Sequence, residues 1–295
     1  MNSTFVYYFN LFAIFVHFCL AWMSVIIVYV SGIREDVKFE TTGTRFDVGD
    51  SATAVSNQMF DGVQFGGGPK MYPVLFKFDG TGIRVTLIVY FFCLLSACGQ
   101  SYFGWYKAEY ISLMRKGHYV NYFRYIEYSF SASIMIVLIS LEVGIVDFGA
   151  LIGFCGCTWS CMMFGLFADY FYMFDNLENE KLWKSDDSAP SPLSFDTISL
   201  RQCGWISHFC GWCVMSIPFY VIFISLFRGD DTPKFVYWIV FVECVLFIFF
   251  GLTQLYHLLN YEKRWCAMIV EFAYILQSLL SKVVLFVFVF SVVLV

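Results

Sequence analysis

Lys282 is the only basic residue in the apolar run from Trp265 to Val295, and it sits near the middle of that run. A charge at a bilayer centre costs about 3 kcal/mol on insertion scales, so a lysine there calls for a chemical reason. One is condensation of its amine with an aldehyde to give a Schiff base, a reaction open to a buried lysine. Two other roles stay open on this residue alone: lining a polar cavity, and pairing with an acid in a transport path. Ser278 stands four residues back, one helical turn away, where its hydroxyl can hydrogen-bond near the amine.

A protonated Schiff base is a buried cation and needs an anion beside it, because neither charge is stable alone in a low dielectric. Glu127 is the only acid in the stretch Tyr122 to Met135. It can be that counterion, or it can pair with Arg124 at the membrane edge; the presence of Lys282 favours the counterion. Retinal is an aldehyde of the required kind. Tyr128, Ser131 and Met135 on the same helix, and Phe249 and Phe250 further along, are the expected pocket residues.

Further acids lie inside apolar runs. Glu243 has no basic neighbour between Phe235 and Phe250, and Glu271 precedes Lys282 by eleven residues. Eleven residues are about three turns and 16 Å, so Glu271 shares roughly one helix face with Lys282. Intramembrane carboxylates are candidates for proton relays. Glu243 and Glu271 are expected to be protonated or hydrated in the dark and to support a light-dependent proton leak. Glu142, Asp147 and Asp169 are read as helix-end acids that reach water. Of the eleven cysteines, Cys210-Gly-Trp-Cys213 and Cys155-Gly-Cys157 with Cys161 imitate redox and metal motifs. They fall among apolar residues, without the exposed low-pKa thiol or four converging ligands such chemistry needs. Packing is their expected role, no metal is expected, and His208 is read as a bundle histidine.

These residues need a membrane scaffold. The chain has 295 residues, 59% hydrophobic and 14% charged, with 36 Phe, 19 Tyr and 8 Trp. Soluble domains carry about 25% charged residues, so this is a polytopic membrane protein in contact with lipid. Its net charge of −5 is spread over loops and suggests no nucleic-acid partner. Seven runs are long enough to cross about 30 Å of hydrocarbon: 5–30, 82–106, 119–143, 147–172, 204–227, 235–259 and 265–293. The expected fold is all-α, a single seven-transmembrane-helix bundle over residues 1–295. The first run lacks the basic start and cleavage site of a signal peptide and is read as a retained span.

The even loops and their borders hold Lys107, Arg115, Lys116, Arg124, Lys181, Lys184, Arg201, Lys263 and Arg264, whereas the short third and fifth hold only Arg228 and Lys234. By the positive-inside rule the N-terminus is cytoplasmic and the C-terminus extracellular. The sequon Asn2-Ser3-Thr4 would require the opposite sense and is given less weight. In this orientation the third and seventh spans both run outward. Side chains lean toward their helix N-terminus, so Lys282 leans toward the half that holds Glu127. The long first loop, 31–80, is then extracellular. In it Val37–Thr41 and Thr44–Val48 alternate in polarity around Thr42-Gly43, which reads as a β-hairpin.

Arg124-Tyr-Ile-Glu-Tyr-Ser-Phe-Ser-Ala-Ser133 resembles the third-helix signature of heliorhodopsins, and Ser278-Leu-Leu-Ser-Lys282 resembles their retinal-lysine motif. Phe247-Ile-Phe-Phe250 followed by Leu258-Leu-Asn-Tyr261 is similar to their sixth helix. The long first loop, the inverted topology and the length fit as well, so the resemblance covers the whole chain. It implies retinal on Lys282, all-trans in the dark, with Glu127 as sole primary counterion, and a homodimer to which the first loop contributes. His17 matches a family histidine in the cytoplasmic-side cavity. Gln100 aligns with a second one, so a proton-acceptor role for a histidine pair does not carry over. The chain lacks features of other relatives: Ser278 stands where pumping rhodopsins have an aspartate, and there is no Asp-Arg-Tyr or Asn-Pro-x-x-Tyr of G-protein-coupled receptors.

Two function classes follow, neither of them enzymatic. One is a light-sensing retinal protein that signals through cytoplasmic loops to an unknown partner. The other is a light-activated ion transporter or channel, for protons first, using His17, Gln100, Glu243 and Glu271.

Overall fold

The computed structural model describes residues 2–30, 38–39, 42–48, 71–77, 83–116, 120–184, 199–228, 234–261, 263 and 265–293. Its helices are α1 (Ser3–Val30), α2 (Val85–Trp105), α3 (Lys107–Lys116), α4 (Tyr122–Glu142), α5 (Phe148–Lys184), α6 (Leu200–Arg228), α7 (Lys234–Leu259) and α8 (Cys266–Val293). All except α3 are long and apolar enough to cross a membrane, giving the seven expected spans. The chain is therefore a multi-pass integral membrane protein.

Helix ends follow local chemistry. Asn121 caps α4 by accepting the backbone N–H of Arg124 at 3.1 Å. Ser199 and Gln202 form a reciprocal capping box at the start of α6, with bonds of 3.3 and 3.0 Å. The tight α4–α5 link turns at Gly144, where φ is +84° and the Gly144 and Ile145 N–H groups bond back to Leu141 and Ser140. Asp147 Oδ1 then accepts the Ala150 N–H at 2.8 Å, so this acid does cap a helix.

Two elements differ from expectation. The fourth span does not stop at residue 172, because α5 runs 37 residues to Lys184. No Gly or Pro interrupts Asp175 to Lys184, so the hydrogen-bonded ladder continues after the apolar pattern ends. The additional helix α3 is amphipathic rather than apolar. It buries Tyr110 and Met114, one turn apart, against α1 and α8.

The first loop contains strands β1 (Lys38–Phe39), β2 (Thr42–Val48), β3 (Met71–Lys77) and β4 (Ile83–Arg84). The expected tight hairpin around Thr42-Gly43 is not formed. Thr42 and Gly43 lie inside β2, which pairs antiparallel with β3 from Thr42↔Lys77 to Val48↔Met71, while β1 pairs with β4. The seven-residue register with β3 offers more ladder bonds than the local partner would. A two-residue turn also needs φ > 0 positions that Thr42 does not favour. The remainder of that hairpin, residues 37, 40 and 41, lies outside the described residues.

α4 is the most enclosed of the seven spans. Its C-terminal half packs Ile136 and Ile139 against Phe92, Ile222, Ile239 and Leu285. Close helix approach is set by Gly204 on α6, where an added Cβ would lie 2.6 Å from the Tyr172 ring of α5. Gly204→Val is expected to destabilise the α5–α6 pair by about 1–3 kcal/mol through overpacking, seen as a lower melting temperature in detergent. The equally helical Gly153→Ala, where a Cβ meets nothing within 4 Å, should not lower it.

Candidate functional site

Three helices converge on Lys282. Its side chain is 2% exposed and its Nζ donates to Ser278 Oγ at 2.8 Å, as the one-turn spacing on α8 predicts. Glu127 of α4 faces it, with Oε1 4.0 Å from Nζ. The Tyr128 ring centroid lies 5.6 Å from the same nitrogen, within cation–π range. α2 supplies Ser96, whose hydroxyl makes a short hydrogen bond to Glu127 Oε1. Ser96 is not singled out by sequence reasoning, since one serine in an apolar helix carries no signal of its partner. The amine, the carboxylate and both hydroxyls are buried together, which is the arrangement an internal ion pair needs.

Arg124 does not compete for Glu127. Its guanidinium reaches the other way, to a short ion pair with Glu271 Oε2, and stacks 4.0 Å from the Tyr274 ring centroid. Tyr110 and Asn121 each donate to Glu271 Oε1 at 2.9 Å. Glu271 is thus a paired carboxylate rather than the protonated or hydrated acid expected. Its spacing on α8 gives the face it occupies but not the donors that α3 and α4 bring to it.

Asp169 also departs from expectation. It is fully buried and does not reach water, because α5 continues for fifteen residues beyond it. Its carboxylate accepts Tyr125 Oη at 2.6 Å and Gln254 Nε2 at 2.8 Å, and lies 3.0 Å from His257 Nδ1. Tyr274 Oη completes the cluster through Gln254 Oε1 at 3.0 Å. Glu243 has the opposite environment: it is fully buried and neither carboxylate oxygen has a hydrogen-bond partner among the described residues. His17 and Gln100 do meet, with Nδ1 and Oε1 3.2 Å apart, and His17 Nε2 has no hydrogen-bond partner among the described residues.

A cavity of about 460 Å³ lies between α4, α5, α6, α7 and α8, within the size range of small-molecule sites. Tyr128 and Phe250 line it, as expected. Phe249 does not: it is 50% exposed, because a neighbouring helical residue points about 100° away. Ser131 and Met135 are buried but lie outside the lining; Met135 packs in the apolar core. The walls that sequence reasoning missed include Met162, Trp212, Phe219 and Phe247. Trp212 donates its indole N–H to His208 Nε2 at 2.9 Å and packs against Gly251, where a Cβ would lie 2.3 Å from its ring. α6 is apolar on all sides, so no periodicity marks the face carrying Trp212.

These features fit retinal. The walls are almost wholly apolar and aromatic, suited to a polyene, and Tyr128 bridges the cavity and the buried amine. Lys282 would hold the aldehyde carbon, Glu127 would balance the charge, and Tyr128, Trp212, Phe219 and Phe250 would flank the chain. The ion pair next to the site is open to test. Arg124→Ala leaves Glu271 buried without its cation and should cost about 3–5 kcal/mol in denaturant unfolding, whereas the double change Arg124→Met with Glu271→Leu should recover most of the loss.

Among protein-family models, the one named Heliorhodopsin matches residues 6–294. A search of curated proteins finds no match. The match runs through every span, the lysine of α8 and the carboxylate of α4, and it shows that the chain belongs to the heliorhodopsin family.

Proposed function

We propose that the protein is a light-sensing retinal receptor, with the chromophore bound to Lys282 as a protonated Schiff base and Glu127 as counterion. The observation that carries this reading is a fully enclosed lysine amine 4.0 Å from a carboxylate, beside an apolar cavity of about 460 Å³. Retinal would supply absorption of visible light and isomerisation about a double bond of its polyene. The protein's residues do the rest. Lys282 Nζ carries the covalent link and its proton. Ser278 Oγ, 2.8 Å away, steadies that proton, and Glu127 Oε1 is the closest carboxylate able to receive it. Ser96 holds Glu127 in place as the charge on it changes. Lys282 and Glu127 are both buried from solvent, which keeps the electrostatic coupling between them strong.

The basic residues on the even loops support a cytoplasmic N-terminus and an extracellular first loop, with its two ladders on the outer face. The family resemblance supports a homodimer in which that loop takes part, all-trans retinal in the dark, and output through cytoplasmic loops to a partner protein. A second reading, light-activated proton transport, is favoured by Glu243, whose buried carboxylate lacks any hydrogen-bond partner among the described residues. A carboxyl group so placed is most stable when protonated or hydrated, as a relay group would be.

The test is whole-cell recording under light pulses in cells supplied with retinal, alongside their visible absorption. Colour in the wild type, its loss in Lys282→Ala and the absence of photocurrent are expected for the receptor. Glu127→Gln should shift the absorption band or abolish it. A wild-type photocurrent that reverses with the proton gradient and is lost in Glu243→Gln would establish the transport reading instead. A colourless wild type would remove both.

A further inference from the structure

Gly99 lies on α2 three residues after Ser96, hence on the same helix face. A Cβ built at Gly99 would lie 2.5 Å from Glu127 Cγ and 2.9 Å from its Cβ. Real side chains do not tolerate such approaches, and both atoms belong to the stem of a residue whose carboxylate end is fixed. Glu127 is held by Ser96 on one side and faces Lys282 at 4.0 Å on the other. Both contacts are made by Oε1, so a stem pushed aside by a Cβ at position 99 moves that oxygen relative to Ser96 and Lys282 together. Glycine inside a helix is less favourable than alanine, and at position 99 nothing in the turn geometry of α2 requires it. The requirement comes from the side chain across the interface.

We propose that Gly99 is a positioning residue for the counterion: the notch it leaves on α2 sets where the Glu127 carboxylate stands relative to Lys282. This rests on the retinal reading above. Ser96 and Gly99 together form a two-part seat, one anchoring the carboxylate and the other admitting its stem. The next residue, Gln100, contacts His17 from the same helix, so one turn of α2 organises the polar groups on that side of Lys282. The position of a negative charge near the linked nitrogen sets the energy gap of the chromophore. A displaced carboxylate therefore moves the absorption band.

The test is a cycle of four retinal-loaded proteins: wild type, Gly99→Ala, Glu127→Gln and the double variant, with Gly104→Ala as the control. Gly104 is also on α2, but its added Cβ would meet Leu11 and Ile14 of α1, not Glu127. Gly99→Ala should move the absorption maximum in the Glu127 background and move it far less in the Glu127→Gln background, where no charge is displaced. Gly104→Ala should leave the maximum unchanged. An unmoved maximum in Gly99→Ala, or equal shifts in both backgrounds, would overturn the proposal while leaving the retinal reading intact. A colourless wild type would overturn that reading first.

The retinal-free protein supplies a second measurement should Gly99→Ala or Glu127→Gln lose the visible band. Gly99→Ala should lower its folded yield and melting temperature, and the further loss it causes in a Glu127→Ala background, where the Cγ that the methyl group strikes is gone, should be smaller. Equal losses with and without the Glu127 stem would assign Gly99 to general helix packing and sink the idea.

Discussion

A lysine amine enclosed in the middle of a membrane protein must be matched by a negative charge, and much of the bundle is arranged around that need. Lys282 and Glu127 lie on α8 and α4, and neither would be stable as an ion without the other. The pair also requires hydroxyls at Ser96 and Ser278 to complete the solvation that water would otherwise give. The apolar core above the pair and the aromatic cavity beside it keep the dielectric low, which strengthens the attraction and raises the cost of leaving either group alone.

Two further polar clusters follow the same logic at other depths. Arg124 with Glu271 ties α4 to α8, with Tyr110 of α3 and Asn121 closing the remaining positions on the carboxylate. Asp169 with Tyr125, Gln254 and His257 ties α5, α4 and α7. Each group of donors and acceptors is drawn from three or more segments. Such groups specify which helices are neighbours more sharply than apolar contacts do, because lipid tails are as apolar as the side chains they would replace. Glu243 is the exception, buried without a hydrogen-bond partner among the described residues, and it is where polar chemistry and structure are least reconciled.

The sequence reveals single charges well and their companions poorly. Seven spans, Lys282 and Glu127 stand out because a charge or a long apolar run is a local signal with a large energy behind it. The string Arg124–Ser133, in α4, carries the family likeness on its own. Asp169 was misjudged because the end of α5 was placed twelve residues early, and Glu271 because its donors come from helices distant in sequence. Phe249 and Phe250 look alike in the sequence, but Phe250 faces the cavity beside Tyr128 and Tyr274 whereas Phe249 is turned outward and half exposed. The strand pairing in the first loop was missed because β2 takes its partner from beyond residue 70 rather than from the adjacent run.

The cavity has a mechanical consequence. It occupies the space between α6 and α7 along much of their length, so that seam lacks the dense side-chain contact found between α5 and α6. Stiffness in a packed bundle comes from such contact. α7 is instead braced along α8 and clamped near one end by Gln254 and His257. The compliance of the protein is therefore concentrated on one side of one helix, and a change of shape inside the cavity bends the structure there before it strains anything else.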